Sequence, residues 1–260
     1  MQESNIAWTD TTWNPVHGCS KVSSGCDNCY AERISRQYGH TEEPWTNEHA
    51  EANVSVRPDK LEEPYGLDEP QRIFVNSMSD LFHSRVSDEF ISDVFAVMRN
   101  CPEHVFQILT KRPGRAAHID LAWPPNVWMG TSVEDGRVVD RVDLLRDCDA
   151  ETLFLSCEPL IGPLGEVDLE GYDWVIVGGE SGPDDVRREM DHEWARDIFQ
   201  QCRDQDVAFF FKQSSARKPE RGQRLTVRNE EWGTYEQRKI QELPDLPEPT
   251  KRARRAMAEG

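Results

Sequence analysis

Apolar positions along the chain fall into two alternating patterns. Short runs rich in β-branched and aromatic residues occur at 72–78 (RIFVNSM), 104–110 (HVFQILT), 127–132 (VWMGTS), 152–158 (TLFLSCE), 174–180 (WVIVGGE) and 207–213 (VAFFFKQ). Runs this short and this uniformly apolar predict strands buried on both faces. Between several of them lie helix-period segments. Residues 87–101 begin with Ser87, continue with Asp88 and Glu89, and repeat apolar residues at helical spacing, which predicts a capped helix. Residues 138–148 and 192–205 follow the same pattern. Strand–helix alternation with right-handed crossovers gives a parallel α/β sheet. With one more strand at 11–16 (TTWNPV), the expected fold is a partial or complete TIM-like (β/α) barrel.

At 260 residues the chain suits a single domain. We expect the barrel over 1–213, with a polar, Pro-punctuated insertion at about 42–70 that packs over the site. A polar extension follows at 214–260, its last residues (250–260) reading as a solvated tail. The net charge is −18, with 48 acidic against 30 basic residues, a halophilic-type acidic surface that favours solubility and disfavours non-specific nucleic-acid binding. A local basic groove for nucleic acid or a partner protein stays open. A charged-then-apolar leader and an apolar run of about 20 residues are both missing, so a cytoplasmic protein with no membrane contact is expected.

Each predicted strand ends in polar groups, and parallel α/β proteins build their sites at those ends. The ends carry Asn76, Ser77, Ser79 and Asp80, then Lys111 and Arg112, Glu134, Cys157 and Glu158, Gly178 to Glu180, and Lys212. Six such ends in register predict one polar pocket.

Seven cysteines in a chain expected inside the cell do not suggest a disulfide framework. Cys101, Cys148 and Cys202 read as small buried hydrophobes. Cys19, Cys26 and Cys29 differ, because GCSKVSSGCDNCYAER (18–33) concentrates three thiols in one Gly-bearing loop. Three thiolates can hold an iron–sulfur cluster and leave one position open, whereas a fourth ligand such as Cys157 or His17 would close a zinc site. On the zinc reading Asp80, Glu134, Glu158 and Glu180 become candidate hydrolytic groups of a nucleic-acid-associated protein. A purely binding role would need no open site.

WTDTTWNPVHGCSKVSSGCDNCYAER, together with LTKRP, GTSVED, SCEPL, VGGESG and FFKQ, resembles the three-Cys-motif family of phage-type proteins over most of residues 6–213. That family in turn is similar, more distantly, to the radical S-adenosylmethionine enzymes. The resemblance implies a 4Fe-4S cluster on Cys19, Cys26 and Cys29, S-adenosylmethionine at its open iron, and radical modification of an unknown substrate. Lys111, Arg112 or Lys212 would then meet the cofactor's carboxylate, and Glu134, Glu158 or Glu180 its amino or ribose groups. Glu158, Glu180 and Cys157 are the candidate catalytic groups; Cys157 at its strand end reads as a hydrogen donor, as a fourth metal ligand or as a core residue.

Overall fold

The computed structural model describes residues 1–229 and 232–259. Eight strands form its main sheet: β1 (Gln2–Glu3), β2 (Thr11–Trp13), β3 (Arg72–Val75), β4 (Val105–Thr110), β5 (Val127–Ser132), β6 (Thr152–Cys157), β7 (Trp174–Gly178) and β8 (Ala208–Gln213). They lie side by side in chain order. Only the β1–β2 pair is antiparallel; every pair from β2 to β8 is parallel. Every residue of β5, β6 and β7 is buried, as a sheet covered on both faces requires.

The helices that cover one face arise where the periodicity placed them: α2 (Asp88–Asn100), α4 (Asp140–Arg146) and α5 (His192–Asp204). Ser87 caps α2 by accepting the Phe90 N–H at 3.2 Å, and Asp191 caps α5 through Glu193. Two shorter helices, α1 (Tyr30–Gln37) and α3 (Pro113–His118), had no counterpart in the apolar pattern. On the helix side, Val75, Ile108, Met129, Leu155, Cys157 and Val177 pack with Ile91 and Met98 of α2 and Ile198 and Cys202 of α5.

The opposite face is an aromatic layer of Phe74, Trp128, Phe154, Trp174 and Phe210, closed by Trp8. Trp174 stands at its centre, with ring centroids 6.2 Å from Trp8, 6.0 Å from Trp128 and 5.8 Å from Phe210. Phe74 on β3 and Trp174 on β7 are four strands apart, about 19 Å in a flat sheet. The single indole of Trp8 nevertheless touches both, at 4.8 and 6.2 Å. The sheet is therefore strongly curled, with the aromatic layer on its concave face.

It does not close. The complete-barrel alternative is corrected here: this is a mixed α/β fold with an open, mostly parallel sheet. The free edge of β8 is covered by the segment 240–242, where Phe211 N–H donates to the Ile240 carbonyl at 2.7 Å and Glu242 N–H to Phe209 at 3.1 Å. The polar extension at 214–260 takes part in the fold, and its last residues are helical. Leu225, Val227 and Ile240 join the main core, and Glu248–Glu259 forms a helix from which Arg254 reaches the Glu103 carbonyl. Among the described residues no helix is long and apolar enough to cross a membrane.

Gly130 of β5 makes the concave layer possible, because a Cβ there would lie 2.3 Å from the Phe154 ring. Gly130→Ala should lower stability by about 1–3 kcal/mol, read as an earlier urea midpoint with an unchanged slope. Adding Phe154→Leu should restore part of the loss. An unchanged midpoint would show that this layer is not tightly packed.

Candidate functional site

The cysteine loop follows β2 and arches over the C-terminal ends of the parallel strands. Its entry is stitched to the turn after β3. Gly18 N–H donates to the Met78 carbonyl at 3.2 Å, Ser79 Oγ to the Val16 carbonyl at 2.8 Å, and Val16 N–H to Asn76 Oδ1 at 3.1 Å. Gly18 has φ +78, and a Cβ there would lie 1.9 Å from the Asn53 carbonyl oxygen, so only glycine fits. The 42–70 region packs against the loop from outside: Lys21 N–H donates to the Trp45 carbonyl, and Trp45 N–H to Glu32 at 2.9 Å.

Three acid–arginine pairs, each from a strand end, hold the loop in place. After β3 and β4, Asp80 accepts from Thr110 Oγ1 at 2.7 Å, Lys111 N–H at 3.1 Å and Arg112 Nη1 at 2.9 Å. Arg112 then reaches the Ser20 carbonyl at 2.9 Å and Cys19 Sγ at 3.6 Å. After β5, Glu134 is fully buried, pairs with Arg141 at 2.9 Å, and accepts the Gly25 N–H at 3.1 Å. After β7, Glu180 binds Arg188 and accepts from Asn28 Nδ2 at 3.0 Å, while Arg188 donates to the Ser24 carbonyl at 2.9 Å.

Arg112, Glu134 and Glu180 therefore spend their hydrogen-bonding capacity on the loop itself. The resemblance implied cofactor contact for all three, with Glu180 also a catalytic candidate. Their partners Arg141 and Arg188 were missed. Arg141 lies on α4, seven residues after Glu134 and across a segment after β5 that is not α-helical, so no periodic spacing pointed to the pair.

Cys19, Cys26 and Cys29 are all half-buried and line one cavity of about 140 Å³, together with Tyr30, Asp80, Lys111 and Arg112. Burial pushes the Cys19 thiol up to about 12, reinforced by Asp80 and opposed by Arg112. Burial also raises Cys29, against the pull of the Glu32 and Ala31 N–H groups at the start of α1 and of the Lys111 ammonium. Glu180 moves the other way: burial would raise it, but Arg188 and Asn28 hold it below the usual carboxylate range. His83 supports the loop from below. Its Nδ1 accepts the Arg85 N–H at 3.1 Å and its Nε2 lies 2.9 Å from Ser20 Oγ, so Nε2 carries the proton. Burial, with Arg112 nearby, lowers it to about 4 and keeps it neutral.

Beside this cavity, between α1 and the 181–187 loop, opens a cleft of about 850 Å³ whose wall includes Arg33, Arg36 and Arg187. Cys29 and Lys21 line both spaces. Lys212 pairs with Glu158 at 2.9 Å, and Glu158 accepts from Ser156 Oγ at 3.2 Å. A Cβ on Gly178 would lie 2.5 Å from Glu158 Oε1, so that carboxylate lies against the Gly178 backbone.

Cys157 is not brought to the cavity. Strand alternation puts it with Leu155 on the helix face, fully buried against Leu164 and Ile198, where burial raises its thiol far above the ordinary value. His17 also stands apart from the thiols, with its ring against His40.

Among the described residues no group of three or more His, Cys, Asp or Glu side chains is arranged to hold a single metal ion. The three thiols are soft donors. Three soft ligands share one cavity, and Lys111 and Arg112 supply positive charge against thiolates there.

A family model described as "Protein of unknown function (DUF5131)" matches residues 3–244. No curated protein and no solved structure matches the chain.

Arg141→Met leaves Glu134 charged, buried and alone, which should cost about 3–5 kcal/mol of stability. Glu134→Met with Arg141→Met should recover most of that loss in urea unfolding. Gly25 amide exchange should stay fast in the double variant, because its acceptor is gone. Slow exchange there would contradict the clamp. The thiols allow a pH test. Free cysteine ionises near about 8.5, so between that value and about 12 the folded chain retains a proton at Cys19 that the unfolded chain releases. Stability should therefore fall as pH rises through this window. In metal-free protein at pH 9, iodoacetamide should modify Cys19 far more slowly than glutathione; equal rates would show an exposed, ordinary thiol.

Proposed function

The chain belongs to the DUF5131 family, and from the geometry of its cysteine loop we propose that it is a radical S-adenosylmethionine-like iron–sulfur protein. The observation that carries this reading is the convergence of Cys19, Cys26 and Cys29 on one cavity that adjoins a large open cleft. Cys19, Cys26 and Cys29 would hold the cluster, and the chemistry it would supply when bound is transfer of one electron, drawn from an external reductant, to break a carbon–sulfur bond of S-adenosylmethionine. The partial-barrel reading of the fold belongs to the same proposal, with the curled sheet as its frame.

The rest of the work falls to this chain's own side chains. Arg112, Glu134 and Glu180 set the path of the loop, and hence the directions of the three sulfurs. Lys111 and Arg112 offset negative charge that the thiolates bring into a half-buried space. The N–H groups at the start of α1 favour Cys29 as a thiolate. Tyr30 spans the rim, donating to the Ser77 carbonyl at 2.7 Å. Glu158 and Lys212, already paired, are strand-end charges not used on the loop and remain the candidates for proton handling.

Protein purified and reconstituted without oxygen should contain iron and acid-labile sulfide and show broad visible absorption that a strong reductant bleaches. S-adenosylmethionine should change its electron paramagnetic resonance signal. Replacing Cys19, Cys26 or Cys29 by Ala should abolish all of this, whereas Cys157→Ala should keep it, since that thiol packs against α5. Stoichiometric zinc without sulfide would overturn the proposal.

A further inference from the structure

Acidic residues outnumber basic ones 48 to 30, so an arginine without a carboxylate is an exception that needs a reason. From Arg57 to Arg203 every arginine but Arg99 stands against an Asp or Glu. Two places depart from this. On α1, Arg33 and Arg36 lie one turn apart, are exposed, and line the large cleft with no side-chain partner among the described residues. The cleft's carboxylates do not answer them. Glu32 pairs with Lys21, and Asp27 and Glu180 with Arg188, which leaves Glu42 as the unpaired acid among the described residues of that wall.

The second place is the run RKPERGQRLTVR (217–228), with five basic residues and one acidic, a net +4 in twelve positions of a chain whose net charge is −18. Glu220 is occupied elsewhere, accepting Ala7 N–H at 3.4 Å and Gln223 Nε2 at 2.9 Å. The five cations are exposed, and among the described residues none pairs with a carboxylate. The run begins at the cleft: Gly182, in the cleft wall, donates its N–H to the Ala216 carbonyl at 3.1 Å, and Ala216 N–H returns to the Glu180 carbonyl at 3.2 Å. It ends in a hairpin, Leu225–Arg228 against Tyr235–Arg238, where Leu225 and Val227 are buried and Arg228 stands opposite Tyr235 on the outer side. Tyr235 is 70% exposed, and Trp232, shortly before it, 71%. Unpaired cations interleaved with open rings are the two elements of a single-strand surface, the cations for phosphates and the π-faces for bases.

We propose that the 217–228 run, its hairpin and the Arg33–Arg36 face of the cleft bind one single-stranded nucleic acid. Phosphates are regularly spaced charges of one sign, which a row of unpaired guanidiniums matches. Unpaired bases offer their faces to Tyr235 and Trp232, whereas in a duplex those faces are covered. The strand leads along the run into the cleft of about 850 Å³. Cys29 lines both that cleft and the three-thiol cavity, so a nucleotide in the cleft lies beside the cysteine loop. The acidity of the rest of the surface keeps the strand on this track. As a statement of substrate class this rests on the cluster reading; as a binding surface it stands without it.

The test uses metal-free full-length protein, so that failure to bind iron and failure to bind a strand are read separately. Fluorescence anisotropy of a labelled single strand of about twenty nucleotides, as DNA and as RNA, should show saturable binding at about 50 mM salt that weakens steeply as salt rises. Replacing Arg217, Lys218 and Arg221 together by Ala should weaken binding at least tenfold and reduce the salt slope by about two. Arg33→Ala with Arg36→Ala should weaken it at least threefold and reduce the slope by about one. Tyr235→Ala should weaken it about fivefold with the slope unchanged, the mark of lost stacking. Arg252→Ala with Arg255→Ala, two exposed cations on the C-terminal helix, should leave binding as it is. No saturable binding of either strand would overturn the proposal. So would equal weakening by the Arg252 and Arg255 pair, or binding of a duplex or of polyglutamate as tight as that of the single strand.

Discussion

The structure turns on the attachment of one loop to the ends of a parallel sheet by buried acid–arginine pairs. A loop bearing three cysteines has little apolar surface with which to hold itself. Asp80–Arg112, Glu134–Arg141 and Glu180–Arg188 do this instead, each reaching a different part of the loop: Cys19–Ser20, Gly25 and Ser24–Asn28. Ion pairs out of water repay their desolvation only when their remaining hydrogen-bonding positions are filled. Here the loop's own N–H and carbonyl groups fill them, so loop and pairs depend on each other.

That arrangement needs a stiff platform. The strands end in register because their lower parts are locked by two apolar layers, and the concave one is a set of edge-to-face aromatic contacts around Trp174. Gly130 and Gly178 lie where bulk on one strand meets its neighbour: Phe154 fills the space over the first and Glu158 that over the second. Packing below and charge above thus set the same strand-end positions.

Much of this was legible in the sequence, for definite reasons. Six of the strands were visible because both of their faces are buried, which removes polar alternation. Helix α2 was visible from Ser87 and its periodic apolar face. Closure of the sheet was not legible, since curl depends on contacts such as Trp8 with Trp174, 166 positions apart. The short α1 was hidden because its buried residues are Ala31, Glu32 and Ser35, not an apolar stripe. At the site, strand-end position identified Arg112, Glu134 and Glu180 as participants, but their roles depended on partners at other strand ends and in the loop. Arg188 joins Glu180 only because the intervening turn folds back. Cys157 stands at a strand end, yet the alternation of β6 turns it toward α5, the core position that was one of its readings.

The central claim is that this clamped loop presents three thiolates to one multi-iron group. X-ray absorption at the iron edge of the anaerobically reconstituted protein tests it most directly. The account predicts sulfur scatterers in the first shell together with a short iron–iron path, and loss of that path in Cys26→Ala. Iron bound with nitrogen or oxygen neighbours and no iron–iron path would contradict it.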